Sequence, residues 1–566
     1  MLKLVAVLVS WALIGSVAVA ADRPEGHSFA TRSVTVARHG MVAAAHPLAV
    51  QIGLDVLKRG GSAVDAAIAV NAALGLMEPV SCGLGGDLFA MVWDPVTAKL
   101  YGLNGSGRAP LALTPDKVPA EKDGTIPVYS VYSWTVPGCA DGWFELHKRF
   151  GRLPMKELLA PTIAYAREGV PVPQIIAGSW ARGVWVFGDK PGFAEVFMPG
   201  GRAPAEGEPF ANPALARTLE RLAAGGRDAY YRGEIADAIV AFSKKVGGFF
   251  SKEDLARHAG EWQEPISTTY HGYQVWELPP NGQGLAALEM LNVLERFDLK
   301  AMGRDNPDFW HVMVEAKKLA FADRARYYAD PTFSPAPVAA LLDKAYAARQ
   351  AQRIDMKKAA RDVEPGAPAL GRGDTTFLVT ADERGMMVAL IQSNYTGFGS
   401  GYVIPELGFG IHSRGALFSL QAGHPNVLAP GKRPFHTIIP AFLGKDGKPL
   451  MAFGVMGGDM QPQGHAQVVV NLVDLGMNLQ EAGDAARFYH TEDNEPTGTK
   501  MKNGGVLHLE SGVGQDVRQE LIRRGHRLVE ANGVVFGGYQ AIWRDPATGV
   551  YFGASESRKD GCAAGY

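Results

Sequence analysis

Residues 371–385 read GRGDTTFLVTADERG, and the chain changes character within them. An irregular segment ends on Asp374, Thr375 and Thr376 follow, and the pattern then becomes apolar and strand-like. Threonine favours strands, so the pair taken alone is ordinary sheet material. Its position at a loop-to-strand junction allows a second reading. A threonine at a chain terminus carries a nucleophile and a base in one residue, because an α-amine titrates near about 7.7–8.0. Attack of the Thr375 hydroxyl on the preceding carbonyl, followed by hydrolysis of the ester, would cut the Asp374–Thr375 bond and free that amine.

Downstream of the junction, TTFLVTAD, MMVALIQSN, GVLHLE, QAIWRDP and GVYFGAS read as short strands between turn residues. Helices are expected near GHAQVVVNLVDLGM (464–477) and GQDVRQELIRRG (514–525), and 494–505 reads as an exposed loop. Upstream, HPLAVQIGLDVLKRGG (46–61) has helical spacing and stops at Gly60-Gly61. Ser62 with Asp65 opens a second helix as an acidic capping box. SCGLGGDLFAMVWDP and KLYGLNGSGRAP read as strands flanked by glycine turns, and 131–330 reads as mostly helical. Helical layers outside strands predict an α/β layered sandwich.

The 566 residues carry a net charge of -2 with no basic stripe, which points away from nucleic acid. MLKLVAVLVSWALIGSVAVAAD has a basic start, an apolar run and an Ala-Val-Ala site before Ala21. It predicts a signal peptide over residues 1–20, a periplasmic or secreted mature protein, and no stable membrane association after cleavage. Three cysteines, Cys82, Cys139 and Cys562, do not make a disulfide scaffold and match no zinc spacing. The chain lacks G-x-x-x-x-G-K-[ST], G-x-S-x-G and H-E-x-x-H, so no phosphate loop, serine elbow or zincin is expected. No histidine is assigned to a metal, and no cofactor is expected.

Several separate blocks, in order, resemble the gamma-glutamyltranspeptidases, the glutathione hydrolase family of N-terminal nucleophile enzymes. They are GMVAAAHPLAVQIGLDVLKRGGSAVDAAIAV, VPGCADGWFELHKRFGRLP, EAKKLAFADRARYYADP, GDTTFLVTAD, APGKRPFHTIIP, FGVMGGDMQPQGH and the terminal GCAAGY. The resemblance implies a four-layer αββα sandwich. It also implies a precursor cut between Asp374 and Thr375. The large chain would be residues 21–374, helix-rich and one half of the sandwich. The small chain, 375–566, would be strand-rich and carry the nucleophile, and the two would stay together as a heterodimer. Thr375 falls on the nucleophile, Ser393 on a second hydroxyl beside it, and Gly457-Gly458 on the oxyanion-binding glycines.

The residues that hold the glutamyl head in the family are changed. Ser106 stands at the arginine position, with Arg108 two residues on. GIHSRGALF offers Arg414 and Leu417 but no acid, and His436-Thr437 replaces a serine pair. Tyr395 replaces an asparagine, with Asn394 one residue earlier. Arg108, Asn394, Tyr395, Arg414, His436 and Thr437 are therefore the candidate substrate contacts, with a structural ion pair as the other reading of Arg108 and loop orientation as that of His436. A zwitterionic glutamyl head needs a fixed cation and a fixed anion, and an unpaired buried charge is costly. The resemblance implies an amidohydrolase or acyltransferase for γ-glutamyl compounds such as glutathione. The altered residues admit an acylase for glutaryl or other acidic acyl amides, a variant also similar to transpeptidase-like cephalosporin acylases. An uncleaved, inactive binding protein is the third alternative.

Overall fold

The computed structural model describes residues 30–364, 374–531 and 533–566; the expected signal peptide lies outside them. Two seven-stranded sheets stack face to face. Their strands are β1 (Thr35–Ala37), β2 (Met41–Ala44), β3 (Asp87–Asp94), β4 (Lys99–Asn104), β5 (Glu261–Gln263), β6 (Ile266–Tyr270) and β7 (Tyr273–Glu277). Beyond the junction come β8 (Asp374–Ala381), β9 (Met387–Tyr395), β10 (Ala441–Lys445), β11 (Lys448–Met456), β12 (Gly538–Arg544), β13 (Tyr551–Ser555) and β14 (Cys562–Gly565). One sheet runs β14–β2–β8–β9–β3–β4–β5 and the other β1–β13–β12–β11–β10–β7–β6. Each therefore draws strands from both sides of Asp374–Thr375, so the two segments share one pair of sheets.

Period-two alternation sorts the side chains between layers. Phe377, Val379 and Ile391 point between the sheets and meet Phe442, Ala452 and Ile542. A Cβ on Gly454 would come within 2.7 Å of the Phe377 ring, so the close approach of the sheets requires glycine there. Leu378, Val388 and Leu390 point outward into a helical layer. That layer is led by α1 (Pro47–Lys58) and α2 (Ala63–Met77), with α3 (Cys139–Phe150), α4 (Met155–Glu168), α5 (Gln174–Phe187) and α6 (Pro213–Tyr231) beyond. On the other outer face, Phe453 and Val455 pack against α7 (Gly284–Leu294), α8 (Pro307–Tyr327), α9 (Met460–Val473) and α10 (Leu479–Asp484). The result is the expected αββα sandwich.

The capping box at α2 is present: Ser62 Oγ accepts from Asp65 N and Asp65 Oδ2 from Ser62 N. Asp65 Oδ2 also accepts from the backbone N–H groups of Arg152 and Leu153, tying α4 to α2. Asp65→Ala strands buried donors, and we expect it to cost about 2–3 kcal/mol, read as a lower urea midpoint of unfolding.

Three features differ from the sequence reading. The mostly helical span contains β5, β6 and β7, with β6 and β7 joined as a hairpin at His271-Gly272, both in left-handed backbone. Residues 494–505 are largely packed rather than exposed: Asn494 is buried and bonds Val363 O and Met501 N, and Asn426 Nδ2 reaches Pro496 O. GVLHLE forms a separate ribbon, Val506–Leu509 against Phe488–Thr491, outside the two main sheets. Cys82 and Cys139 are buried free thiols and Cys562 is half-buried and free. Among the described residues no helix is long and apolar enough to cross a membrane.

Candidate active site

β8 begins on a bulge. Asp374 pairs with Tyr395 and Thr376 with Gln392, so Thr375 lies where the ladder slips. A bulge re-aims the backbone and often marks a functional edge. The side chains of Asp374 and Thr375 lie outside the described part of the structure. Opposite them β9 ends in Ser393, Asn394 and Tyr395. Ser393 Oγ accepts from Tyr395 N at 2.8 Å, and Tyr395 adopts φ +78°. Asn394 donates its backbone N–H to Ser81 O and accepts from Ser413 N. These contacts hold the end of β9 between two loops.

Gly457 and Gly458 form the turn from β11 into α9. Their φ values are +128° and +60°, which residues with side chains adopt only under strain. Gly458 O accepts from Gln283 Nε2 at 2.8 Å and from Gln461 N at 3.2 Å. Gln283 Nε2 also bonds Thr437 O at 2.7 Å. Arg324 donates to Gln283 Oε1 and, at 2.6 Å, to Asp459 Oδ1. This buried chain fixes the glycine turn relative to the His436-Thr437 segment.

The two candidate arginines have different surroundings. Arg108 is ion-paired to Glu261 at 2.8 Å and Asp330 at 3.3 Å, and bonds Gly431 O. Its neighbour Arg433 shares Glu261 at 2.7 Å. Ser106 is enclosed in a network with Asn104 and Asn281. Arg414 is fully buried and donates from Nη1 to Thr437 Oγ1 at 2.6 Å. Its Nε and Nη2 have no hydrogen-bond acceptor among the described residues. Its guanidinium lies 4.9 Å from the Tyr395 ring centre. Burial lowers it to about 10, with Asp87 the largest opposing charge, so it stays cationic at neutral pH. Leu417, in the same acid-free stretch as Arg414, is buried and apolar.

His436 donates or accepts at Asp87 Oδ2 across 3.0 Å, and its backbone N–H bonds Asn281 O. Burial, then Arg414, push this imidazole well below its usual range; His412 is pushed down to about 3 for the same reasons. Asp87 is a residue that sequence reasoning missed. It starts β3 directly across from Ser393 and accepts from Gly107 N and Gly138 N, each at 3.1 Å. Burial raises it to about 7, against the pull of Arg414 and those two N–H groups. The signal available in the sequence was an acid after two glycines in GGDLF. Gln283 and Arg324 carried no comparable signal.

Arg414, Thr437 and Tyr395 thus come together, with His436 joined through Asp87, while Arg108 belongs to a separate ion-pair cluster. His311, Glu315 and His526 could in principle hold a metal, their ligand atoms lying within 4.8 Å of one another. The two imidazoles are hydrogen-bonded at 2.8 Å, and Glu315 is paired with Lys318 at 2.7 Å, so an ammonium already occupies the carboxylate.

The chain is 35% identical over 534 residues to a glutathione hydrolase-like proenzyme of Bacillus subtilis, covering 93% of this chain and 98% of that protein. It is 34% identical over 542 residues to an oxamate amidohydrolase proenzyme of Klebsiella pneumoniae, covering 94% and 100%. Its fold superimposes on cephalosporin acylase from Bacillus halodurans with a TM-score of 0.88 and 45% identity, covering 96% and 99%. The Gamma-glutamyltranspeptidase family model matches residues 49–566, and with these relatives it establishes that the chain belongs to the gamma-glutamyltranspeptidase family of N-terminal nucleophile hydrolases.

Proposed function

We propose that this protein is an exported, self-processing threonine amidohydrolase whose preferred acyl group ends in a carboxylate and lacks an α-amine. The observation that carries this reading is Arg414: a buried cation with two N–H donors that no described residue accepts. A guanidinium presents parallel donors suited to a carboxylate. Thr437 Oγ1 accepts from Arg414 Nη1, and the Thr437 carbonyl is tied through Gln283 to Gly458 O. This link between the Arg414 partner and the glycine turn places both in one buried network, and we take the acyl chain between carboxylate and scissile carbonyl to be short. A glutaryl or a shorter oxo-acid amide has that form.

The chain would be cut before Thr375, and the shared sheets would keep 21–374 and 375–566 together. Thr375 Oγ attacks the amide carbonyl while its own α-amine takes the hydroxyl proton. Backbone N–H groups of Gly457 and Gly458 stabilise the oxyanion, each worth about 3 kcal/mol. Ser393 steadies the nucleophile. The tetrahedral intermediate collapses, the leaving amine takes the proton from the α-ammonium, and an ester to Thr375 remains. Water, deprotonated by the same amine, releases the free acid. An amine in place of water gives transfer.

A γ-glutamyl compound such as glutathione is the second reading, supported by the name of the Bacillus subtilis relative. The stretch that carries Arg414 offers its α-ammonium no carboxylate, Leu417 being apolar, and Asp87 already bonds Gly107 N, Gly138 N and His436. We expect kcat/KM for a glutaryl anilide to exceed that for the γ-glutamyl anilide by about tenfold or more, since an unpaired buried ammonium costs over ~1.4 kcal/mol. A preference for the γ-glutamyl anilide would overturn the reading.

A further inference from the structure

Glu78 takes no part in the acyl transfer described above. It closes α2, donating its N–H to Leu74 O at 2.7 Å and accepting at its carbonyl from Ser81 N and Cys82 N. Its side chain is buried beneath the start of β8. Thr376 Oγ1 donates to Glu78 Oε2 at 2.7 Å and Ser81 Oγ to Oε1 at 2.9 Å. The same carboxyl lines a cavity of about 270 Å³, together with Ile176 and Arg182 of α5, Lys559 and Asp560. Asp560 accepts from Ile175 N and Ile176 N at the start of α5.

Two more contacts tie the segment after α2 to these strands. Gln392, the partner of Thr376 in the ladder, exchanges two hydrogen bonds with the Gly83 backbone, at 2.9 and 2.8 Å. Asn394 N bonds Ser81 O at 3.0 Å. Residues 78–83 therefore brace both strands at the bulge, and Glu78 is the brace on the strand that would become a new chain end.

We propose that Glu78 is a positioning residue for self-processing: by holding the Thr376 hydroxyl it sets the bulged strand start at which the Asp374–Thr375 bond is cut. This rests on the processing reading above. The bond broken is the Asp374–Thr375 amide, with water consumed and a carboxylate and an amine released; Glu78 acts on it only through Thr376.

Burial pushes the Glu78 carboxyl up to about 7; Thr376, Lys559 and Ser81 oppose that shift and Asp560 adds to it. Arg182 also faces the cavity, and Cys82 nearby is held well above the usual thiol range. Both hydrogen bonds are donated to the carboxyl, so the ionised form accepts both. The hold strengthens as pH rises through about 7 and weakens as pH falls through it. The uncut precursor has no amine on Thr375, so a pH limb near 7 in its processing rate belongs to another group.

The test follows pulse-labelled full-length chain on denaturing gels between pH 5.5 and 8.5. Wild type is expected to process faster as pH rises through 7. Glu78→Gln is expected to process about tenfold more slowly at pH 8 and to lose that limb. Thr376→Val is expected to be slowed similarly, and Thr376→Ser to recover most of the rate. Wild-type rates with the limb intact in both Glu78→Gln and Thr376→Val would overturn the role of Glu78 alone. If Glu78→Gln does not fold, the valine and serine variants decide by their ratio. A wild-type chain that is never cut would overturn the processing reading and this role with it.

Discussion

Thr375→Ala is expected to leave the protein as one full-length polypeptide on a denaturing gel, where wild type is expected to give two. Turnover of any amide substrate should fall by at least about 10³-fold. The alanine chain has no hydroxyl to attack the Asp374 carbonyl, so neither the ester nor the free amine forms. Nucleophile and base are lost together, and residues acting as one unit do not contribute additively. Thr375→Ser keeps the hydroxyl and should still cut itself. Two bands from Thr375→Ala, or a single band from freshly made wild type, would remove Thr375 from the mechanism. The fold should survive, because both sheets are built from contacts on either side of the junction.

Arg414→Gln is expected to lower kcat/KM for a glutaryl anilide by about 10²–10³-fold, the cost of removing one partner from a buried charge pair. A butyryl anilide has the same chain without the carboxylate, and its turnover should change little. Arg414→Lys keeps the charge but not the fork of donors, so an intermediate loss is expected. All three proteins should still give two bands, which separates substrate binding from processing and folding. Equal losses on glutaryl and butyryl substrates would make Arg414 a structural residue. Its burial, with no carboxylate of the described residues in hydrogen-bond reach, argues for the substrate role.

Much of the scaffold was legible from local pattern. The stop at Gly60-Gly61 and the Ser62–Asp65 box mark the boundary between α1 and α2. Helices at Met460–Val473 and Gln515–Arg523 sit where 3.6-residue spacing places them. ISTTY-HG-YQVWE carries a hairpin signal, β-branched and aromatic residues around a turn, but the long helical pattern on either side masks it. The 494–505 segment is polar and glycine-rich, which reads as exposed. Pro496 O and Asn494 Nδ2 are instead satisfied by Asn426 and Val363, 70 and 131 positions away, partners that sequence spacing cannot reveal.

By itself the sequence determined where a second chain could start, which glycines could form an oxyanion site, and that the glutamyl-head residues had changed. The first depends on local order, a hydroxyl pair after a loop; the other two are what the family resemblance of the ordered sequence blocks implies. Only the tertiary structure distinguished the two arginines. Arg108 meets Glu261 and Asp330, 153 and 222 positions away. Arg414 meets Thr437 and keeps two donors without an acceptor among the described residues. The value of a charge depends on which opposite charges share its low-dielectric surroundings. Those neighbours are set by how the two sheets bring distant segments together.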